Sequence, residues 1–282
     1  MDDRPVVLCA VDLGSLTPRL LLHAAGMARL MSAELRVVHV AGDASSAQHE
    51  RVMTECLRHV PYEVALEPEQ VVVRTGRVSD AIHREARRRR TVLVVIGSHG
   101  RCGLARLLGS TSAAVLKGAA VPVLIVPPGD VDIISVGDRM RLSCGPVLAA
   151  VDLAVPSEEQ LQIAGEMAVL AGQPMMMLTV ARSRTTDHAA SSELRERAHL
   201  MPIKPHAMIV RRGAVATAVA DCARTEGAGL VVMGISRGRP GAIAAALMRT
   251  GRAFVLAVPA TPVRLPEPAV LARAMAPLAS LM

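Results

Sequence analysis

Val92-Leu93-Val94-Val95-Ile96-Gly97-Ser98-His99-Gly100-Arg101-Cys102-Gly103-Leu104-Ala105-Arg106-Leu107-Leu108-Gly109-Ser110-Thr111-Ser112 is the stretch from which the rest of the chain is read. A short, continuously apolar run ends in Gly97, and a helix is expected to open at Gly109-Ser110-Thr111. Glycines let backbone N–H groups come close to an anion, and a helix N-terminus adds unpaired donors and the positive end of a dipole. The hydroxyls of Ser110 and Thr111 are placed to add hydrogen bonds to phosphate oxygens. The pattern predicts a phosphate-binding loop at the end of a strand in an α/β sheet.

Working outward, the same strand occurs a second time. Leu93-Val94-Val95-Ile96-Gly97 recurs as Leu230-Val231-Val232-Met233-Gly234, and Leu8-Cys9-Ala10-Val11-Asp12-Leu13 recurs as Leu148-Ala149-Ala150-Val151-Asp152-Leu153. Val71–Gly76 is echoed by Met208–Gly213, and Val121–Pro127 by Ala253–Pro259. The four echoes keep their order at offsets between 132 and 140 residues, so the repeat is a duplicated domain, not a solenoid unit.

Each copy reads β-α-β-α-β-α-β-α-β. Strands are predicted at 5–11, 35–40, 70–74, 92–97 and 122–126, and again at 146–151, 175–180, 207–211, 229–234 and 253–258. Their Val-rich runs suit parallel strands covered on both faces. Between them lie helix signals. Thr17-Pro18 suits a first helical turn, Ser79-Asp80 an N-cap before 81–90, and Ser157-Glu158-Glu159-Gln160 a capping box. The predicted fold class is α/β, with two tandem doubly wound five-stranded parallel sheets, Rossmann-like. The expected organisation is a first domain over 1–128, a linker over 129–145, a second domain over 146–262 and a Pro-rich tail over 263–282.

Composition narrows the function classes. Tyr62 and Phe254 are the only aromatic residues, which argues against base-stacking recognition of nucleic acid. The formal charge of +7 is carried almost wholly by arginine. Its densest run, Arg87–Arg90, falls where a helix end suits cations. Five scattered cysteines with no C-x-x-C fit a reducing cytoplasm without a zinc cluster. No run is long enough for a membrane span, and the opening Met-Asp-Asp-Arg-Pro does not suit a signal peptide. A P-loop and a G-x-G-x-x-G fingerprint are both missing.

A five-stranded unit with Ala-Val-Asp ending its first strand, His-Val its second and Gly-Ser-His-Gly its fourth resembles the universal stress protein family. Both copies share the resemblance, and tandem members are a familiar arrangement there. ATP-binding members carry G-x2-G-x9-G-[ST]. Here Gly97, Gly100, Gly109 and Ser110 fit with eight intervening residues, one fewer than usual. The resemblance implies that Asp12 lies beside adenine and ribose and that Val40 holds the adenine edge through its backbone. Gly97 and Gly100 would pass close to ribose and phosphates, and Gly109, Ser110 and Thr111 would hold the phosphates. The implied ligand is ATP, AMP or another adenine nucleotide, with Mg2+ left open.

The second copy keeps Asp152, Gly213 and Gly234, but Gly241-Ala242 stand where Gly109-Ser110 do. One nucleotide per chain, in the first copy, is expected. Asp12 and Asp152 also admit a plainer role as strand-end residues accepting nearby N–H groups. His39 suits a packed strand position, and His99 and Cys102 suit solvated loop positions. No catalytic residue and no metal site are assigned.

Two functions follow: a non-enzymatic regulatory protein of stress response that binds nucleotide, or a nucleotide-free tandem scaffold acting through a protein partner. The final strands, 122–126 and 253–258, are expected to meet in an intramolecular pseudo-dimer, with a further homodimer left open.

Overall fold

A computed structural model describes residues 4–61, 64, 66–88, 90–98, 108–136, 140–181, 185–235, 240–250 and 253–260. The first half runs β1 (Val6–Val11), α1 (Thr17–Leu30), β2 (Glu34–Ala41), α2 (Ser46–His59), β3 (Val71–Thr75), α3 (Val78–Arg88), β4 (Thr91–Gly97), α4 (Ser110–Lys117) and β5 (Val123–Val126). A small hairpin follows, β6 (Ile134–Ser135) and β7 (Arg141–Leu142). The second half then runs β8 (Val147–Val151), α5 (Glu158–Ala171), β9 (Met175–Val180), α6 (Asp187–Leu200), β10 (Ala207–Arg211), α7 (Val215–Thr225), β11 (Leu230–Ile235), α8 (Pro240–Thr250) and β12 (Phe254–Pro259).

The ten long strands form one sheet in the order β10-β9-β8-β11-β12-β5-β4-β1-β2-β3. Within each half the pairs are parallel and the order is doubly wound, reversing between β1 and β4 and between β8 and β11. The two five-stranded sheets expected from the sequence are therefore halves of a single mixed sheet. They join where β12 pairs antiparallel with β5, with Val255 opposite Ile125, Leu256 opposite Leu124 and Ala257 opposite Val123. All six residues are buried. A strand with an unpaired edge is a template for aggregation, and this pairing covers two such edges at once.

Alternation along each strand feeds two apolar layers. Val7, Cys9 and Val11 face α1 and α2, and Leu8, Val94 and Ile96 face α3 and α4. Both layers continue across the seam into the second half. The duplicated Val-rich runs are thus buried on both faces, as parallel strands in this architecture require.

Two helix starts differ from expectation. Gly76 turns the chain at φ +101°, and α3 begins at Val78, so Ser79 lies inside the first turn and is buried instead of capping it. Ser157 does stand at the N-cap of α5, but its hydroxyl makes no cap bond. It accepts a hydrogen bond from Arg197 (2.7 Å) instead. Gln160, the other half of the supposed capping box, turns inward. Its Nε2 donates to the carbonyls of Ala150 (2.8 Å) and Val232 (3.1 Å), bridging β8 and β11 where those strands diverge.

The segment read as a linker is partly core. Ile133, Ile134 and Leu142 are buried, and a Cβ on Gly26 of α1 would meet Ile134 at 2.6 Å, so only glycine there admits the hairpin. Beside it, His23 is fully buried and packs on Phe254 with ring centroids 4.6 Å apart, linking α1 to the first residue of β12. Its Nδ1–H donates to the Arg19 carbonyl (2.7 Å) and its Nε2 accepts from the Ile133 N–H (3.2 Å). Arg19 holds the same segment through Asp132 (2.8 Å) and the Pro127 carbonyl (2.7 Å).

Burial lowers the His23 pKa from 6.5 to about 4, against the pull of Asp132 at 3.6 Å. With the folded value depressed, the unfolded chain takes up a proton first as pH falls. The stabilisation is complete above 6.5 and is lost towards 4. Between pH 7 and 4 this residue alone should cost about 3 kcal/mol. Denaturant titrations should show His23→Gln losing that much less over the same interval; an equal loss in both proteins would contradict the assignment.

Candidate functional site

Open α/β sheets place ligands beyond the carboxyl ends of their strands, where the strand order reverses. In the first half that position holds a cavity of about 670 Å³, between the ends of β1, β2 and β4 and the helices α2, α3 and α4. Asp12, Val40, Gly97 and Thr111 all line it. Four of the seven residues expected at the site thus meet in one space.

Gly109 stands just behind, as the N-cap of α4, and its N–H donates to the Ser98 carbonyl (2.6 Å). Ser110 is the exposed first residue of that helix and does not line the cavity. Gly100, His99 and Cys102 lie outside the described residues.

Local chemistry explains each position. Asp12 follows β1, and its Oδ1 accepts the Gly14 N–H (2.9 Å) across Leu13, whose φ is +58°. The plainer reading of this residue, an acceptor for a nearby strand-end N–H, is therefore also realised. Asp152 repeats the arrangement with the Ala154 N–H (3.0 Å). His39 is buried, and its Nδ1–H donates to the Val11 carbonyl (2.8 Å), fastening the end of β1 to β2.

The register of β2 exposes main chain to the cavity. β1 pairs with β2 only as far as Val11 opposite His39, whereas β2 continues through Val40 and Ala41 against β3. Successive strand residues direct their N–H and C=O to opposite sides, so one of these two offers both to the space beyond β1. A planar ligand edge can take them with no side-chain signature.

Two contributors escaped the sequence reading. Ser112 is buried, and its hydroxyl donates to the Gly97 carbonyl (2.7 Å), tying the first turn of α4 to the end of β4. In the sequence it is one more hydroxyl after Gly-Ser-Thr, with no spacing to set it apart. Arg51, exposed on α2, brings a permanent cation to the cavity beside Gln48. Its only signal is the i, i+3 spacing of these two polar residues on a helix face.

The thiols of the described residues are poor candidates for chemistry. Cys9, Cys56, Cys144 and Cys222 are buried and free, and burial pushes Cys56 up to about 12 and Cys144 up to about 11. Thiols held protonated at neutral pH are weak nucleophiles. Among the described residues no group of three or more His, Cys, Asp and Glu could hold a metal ion, and no helix is long and apolar enough to cross a membrane.

The second half has a cavity of its own, of about 620 Å³, beyond β8, β9 and β11. Asp152 and Gly234 line it, as Asp12 and Gly97 line the first. Loss of the Gly-Ser-Thr sequence has therefore not closed the space.

Residues 4–127 match the model of the universal stress protein family. Over 70 residues the chain is 36% identical to universal stress protein A homolog 2 of Coxiella burnetii (strain RSA 493 / Nine Mile phase I). That stretch is 25% of this chain and 48% of the relative, so the match spans about half of the relative's length. A universal stress protein from Archaeoglobus fulgidus DSM 4304 has a similar fold, with a TM-score of 0.64 at 19% identity, over 91% of this chain and 98% of its own. A Pseudomonas aeruginosa UCBPP-PA14 protein ascribed to the same family aligns over 98% of both chains, with a TM-score of 0.64 at 17% identity. The first half, residues 4–127, is thus similar in sequence to the universal stress protein family, and the likeness in fold extends over nearly the whole chain.

Proposed function

We propose that the first half binds ATP or a related adenine nucleotide, one per chain, and that the protein acts in the cytoplasm as a non-enzymatic regulator of stress response. The observation that carries this is the convergence of Asp12, Val40, Gly97 and Thr111 on one cavity at the reversal of strand order. Its volume suits a mononucleotide, since ligand pockets run from roughly 300 to 1,000 Å³.

The donor set fits the ligand from end to end. The main-chain edge at Val40–Ala41 suits the base, and Asp12 suits ribose hydroxyls. The glycines Gly97, Gly100 and Gly109 would let the chain approach the phosphates. The first turn of α4 would supply helix N-terminal N–H groups, that of Ser110 among them, and the Thr111 hydroxyl, and Arg51 supplies positive charge. Any Mg2+ would arrive with the phosphates, keeping most of its water, instead of entering a protein cage. No bond-breaking step is assigned to these residues.

Calorimetric titration of the full chain with ATP tests the reading. One site per chain is expected. Absence of binding would contradict it and leave the nucleotide-free scaffold, acting through a protein partner, as the account of the molecule.

A further inference from the structure

The two cavities are lined by matching positions, and the differences between them fall at one end. Val40, Ile82 and Ile96 on the first correspond to Val180, Val219 and Met233 on the second, apolar for apolar. The free main-chain edge is kept as well. β8 pairs with β9 only to Val151 opposite Thr179, and β9 goes on through Val180 against β10. The slot for a flat ring and the strand-end aspartate are therefore present twice.

The phosphate end differs. Counting back from the final strands, Ile243 and Ala244 stand where Thr111 and Ser112 do, so both hydroxyls are gone and an isoleucine side chain lines the space. Arg51 has no basic counterpart among the described residues lining the second cavity. Glu158 and Glu159 fill the first turn of α5, where carboxylates already complement the helix dipole. Among the described residues lining the space, an incoming phosphate would meet neither of those two hydroxyls and no basic side chain.

Polar side chains have been gained on α5, Gln160 among them. Gln160 stands where the first half has Leu20, lines the cavity and is only 6% exposed. Its Nε2 is occupied by two strand carbonyls, but its Oε1 accepts no hydrogen bond among the described residues. That oxygen faces Gly234, where a Cβ would come within 3.1 Å of it. An amide oxygen on so little exposed a side chain, at the wall of a cavity, is an acceptor that an N–H or O–H of a ligand can satisfy.

We propose that the second half carries its own small-molecule site, which takes an uncharged, nucleoside-sized ligand with a hydrogen-bond donor for Gln160 and rejects the phosphorylated form. The assignment of a nucleoside rests on the nucleotide reading of the first half; the cavity, the loss of the two hydroxyls at its phosphate end and Gln160 do not. A protein built this way senses a nucleotide and its dephosphorylated counterpart on two halves of one sheet.

Equilibrium dialysis of the full chain against labelled adenosine, with saturating ATP present, tests the proposal. Val78 and Val215 sit at equivalent rims of the two cavities and are 39% and 50% exposed, so a tryptophan at either blocks one mouth without disturbing a core. One adenosine per chain should bind. Val215→Trp should weaken it by at least about tenfold, whereas Val78→Trp should change it by less than about twofold.

The proposal is overturned if no adenosine binds beside ATP, if Val215→Trp leaves binding intact, or if AMP displaces adenosine as well as adenosine does. The two readings fail separately. Adenosine lost in Val215→Trp in a chain that never binds ATP sinks only the nucleotide assignment. One ATP per chain with no adenosine sinks only this one.

Discussion

Val255→Asp should cost the native state about 4 kcal/mol or more, a large part of the stability of an ordinary domain. Val255 is fully buried in the middle of the ten-stranded sheet, opposite Ile125, at the only antiparallel pairing between long strands among the described residues. A carboxylate there must give up its hydration among Val123, Ile125, Val231 and Leu247, all members of one apolar layer. It would either stay charged at that cost or fold protonated, and both outcomes weaken the seam.

Met208→Asp is the natural comparison. Met208 lies on β10, an outer strand of the same sheet, and is 44% exposed, so its replacement should cost less than about 1 kcal/mol. Denaturant midpoints measure both, and small-angle scattering of Val255→Asp should show the halves drawing apart. A variant that keeps the wild-type midpoint and shape would mean that the seam does not hold the halves together.

The second large effect is on ligand affinity. Arg51→Met together with Thr111→Val removes the cation and one hydroxyl from the first cavity while keeping side-chain volume. A charge-assisted hydrogen bond contributes about 1.5–3 kcal/mol and a neutral one about 1 kcal/mol, so ATP should bind roughly a hundredfold more weakly. Adenosine carries no phosphate to lose and should change by less than about threefold in that cavity. Calorimetry of both ligands on both proteins reads the difference. Equal losses for ATP and adenosine would place the phosphates elsewhere.

The strands were legible because their chemistry is simple. Continuous Val-rich runs repeated in the same order admit little besides duplicated parallel sheets, and strands such as Met175–Val180 and Ala207–Arg211 lie where that pattern puts them. The hairpin after β5 was hidden because strands of two residues leave no periodicity. Its cue is tertiary, a glycine at position 26 that makes room for Ile134.

Side-chain roles were less legible than elements. Ser157-Glu158-Glu159-Gln160 has the spelling of a capping box, but the open space between diverging strands drew Gln160 inward and left Ser157 to Arg197. In the second half, loss of the glycine-hydroxyl sequence describes the phosphate end alone. The cavity itself is made by strand ends, whose apolar residues were kept.

The central claim is that the first half, and not the second, holds the nucleotide. Photolabelling of the full chain with 8-azido-ATP, followed by peptide mapping, tests it directly. Label is expected on the segment from Val38 to Arg51, at the end of β2 and the start of α2. Competition by unlabelled ATP should remove it. Label confined to peptides of 146–262, or divided equally between the halves, would contradict the account.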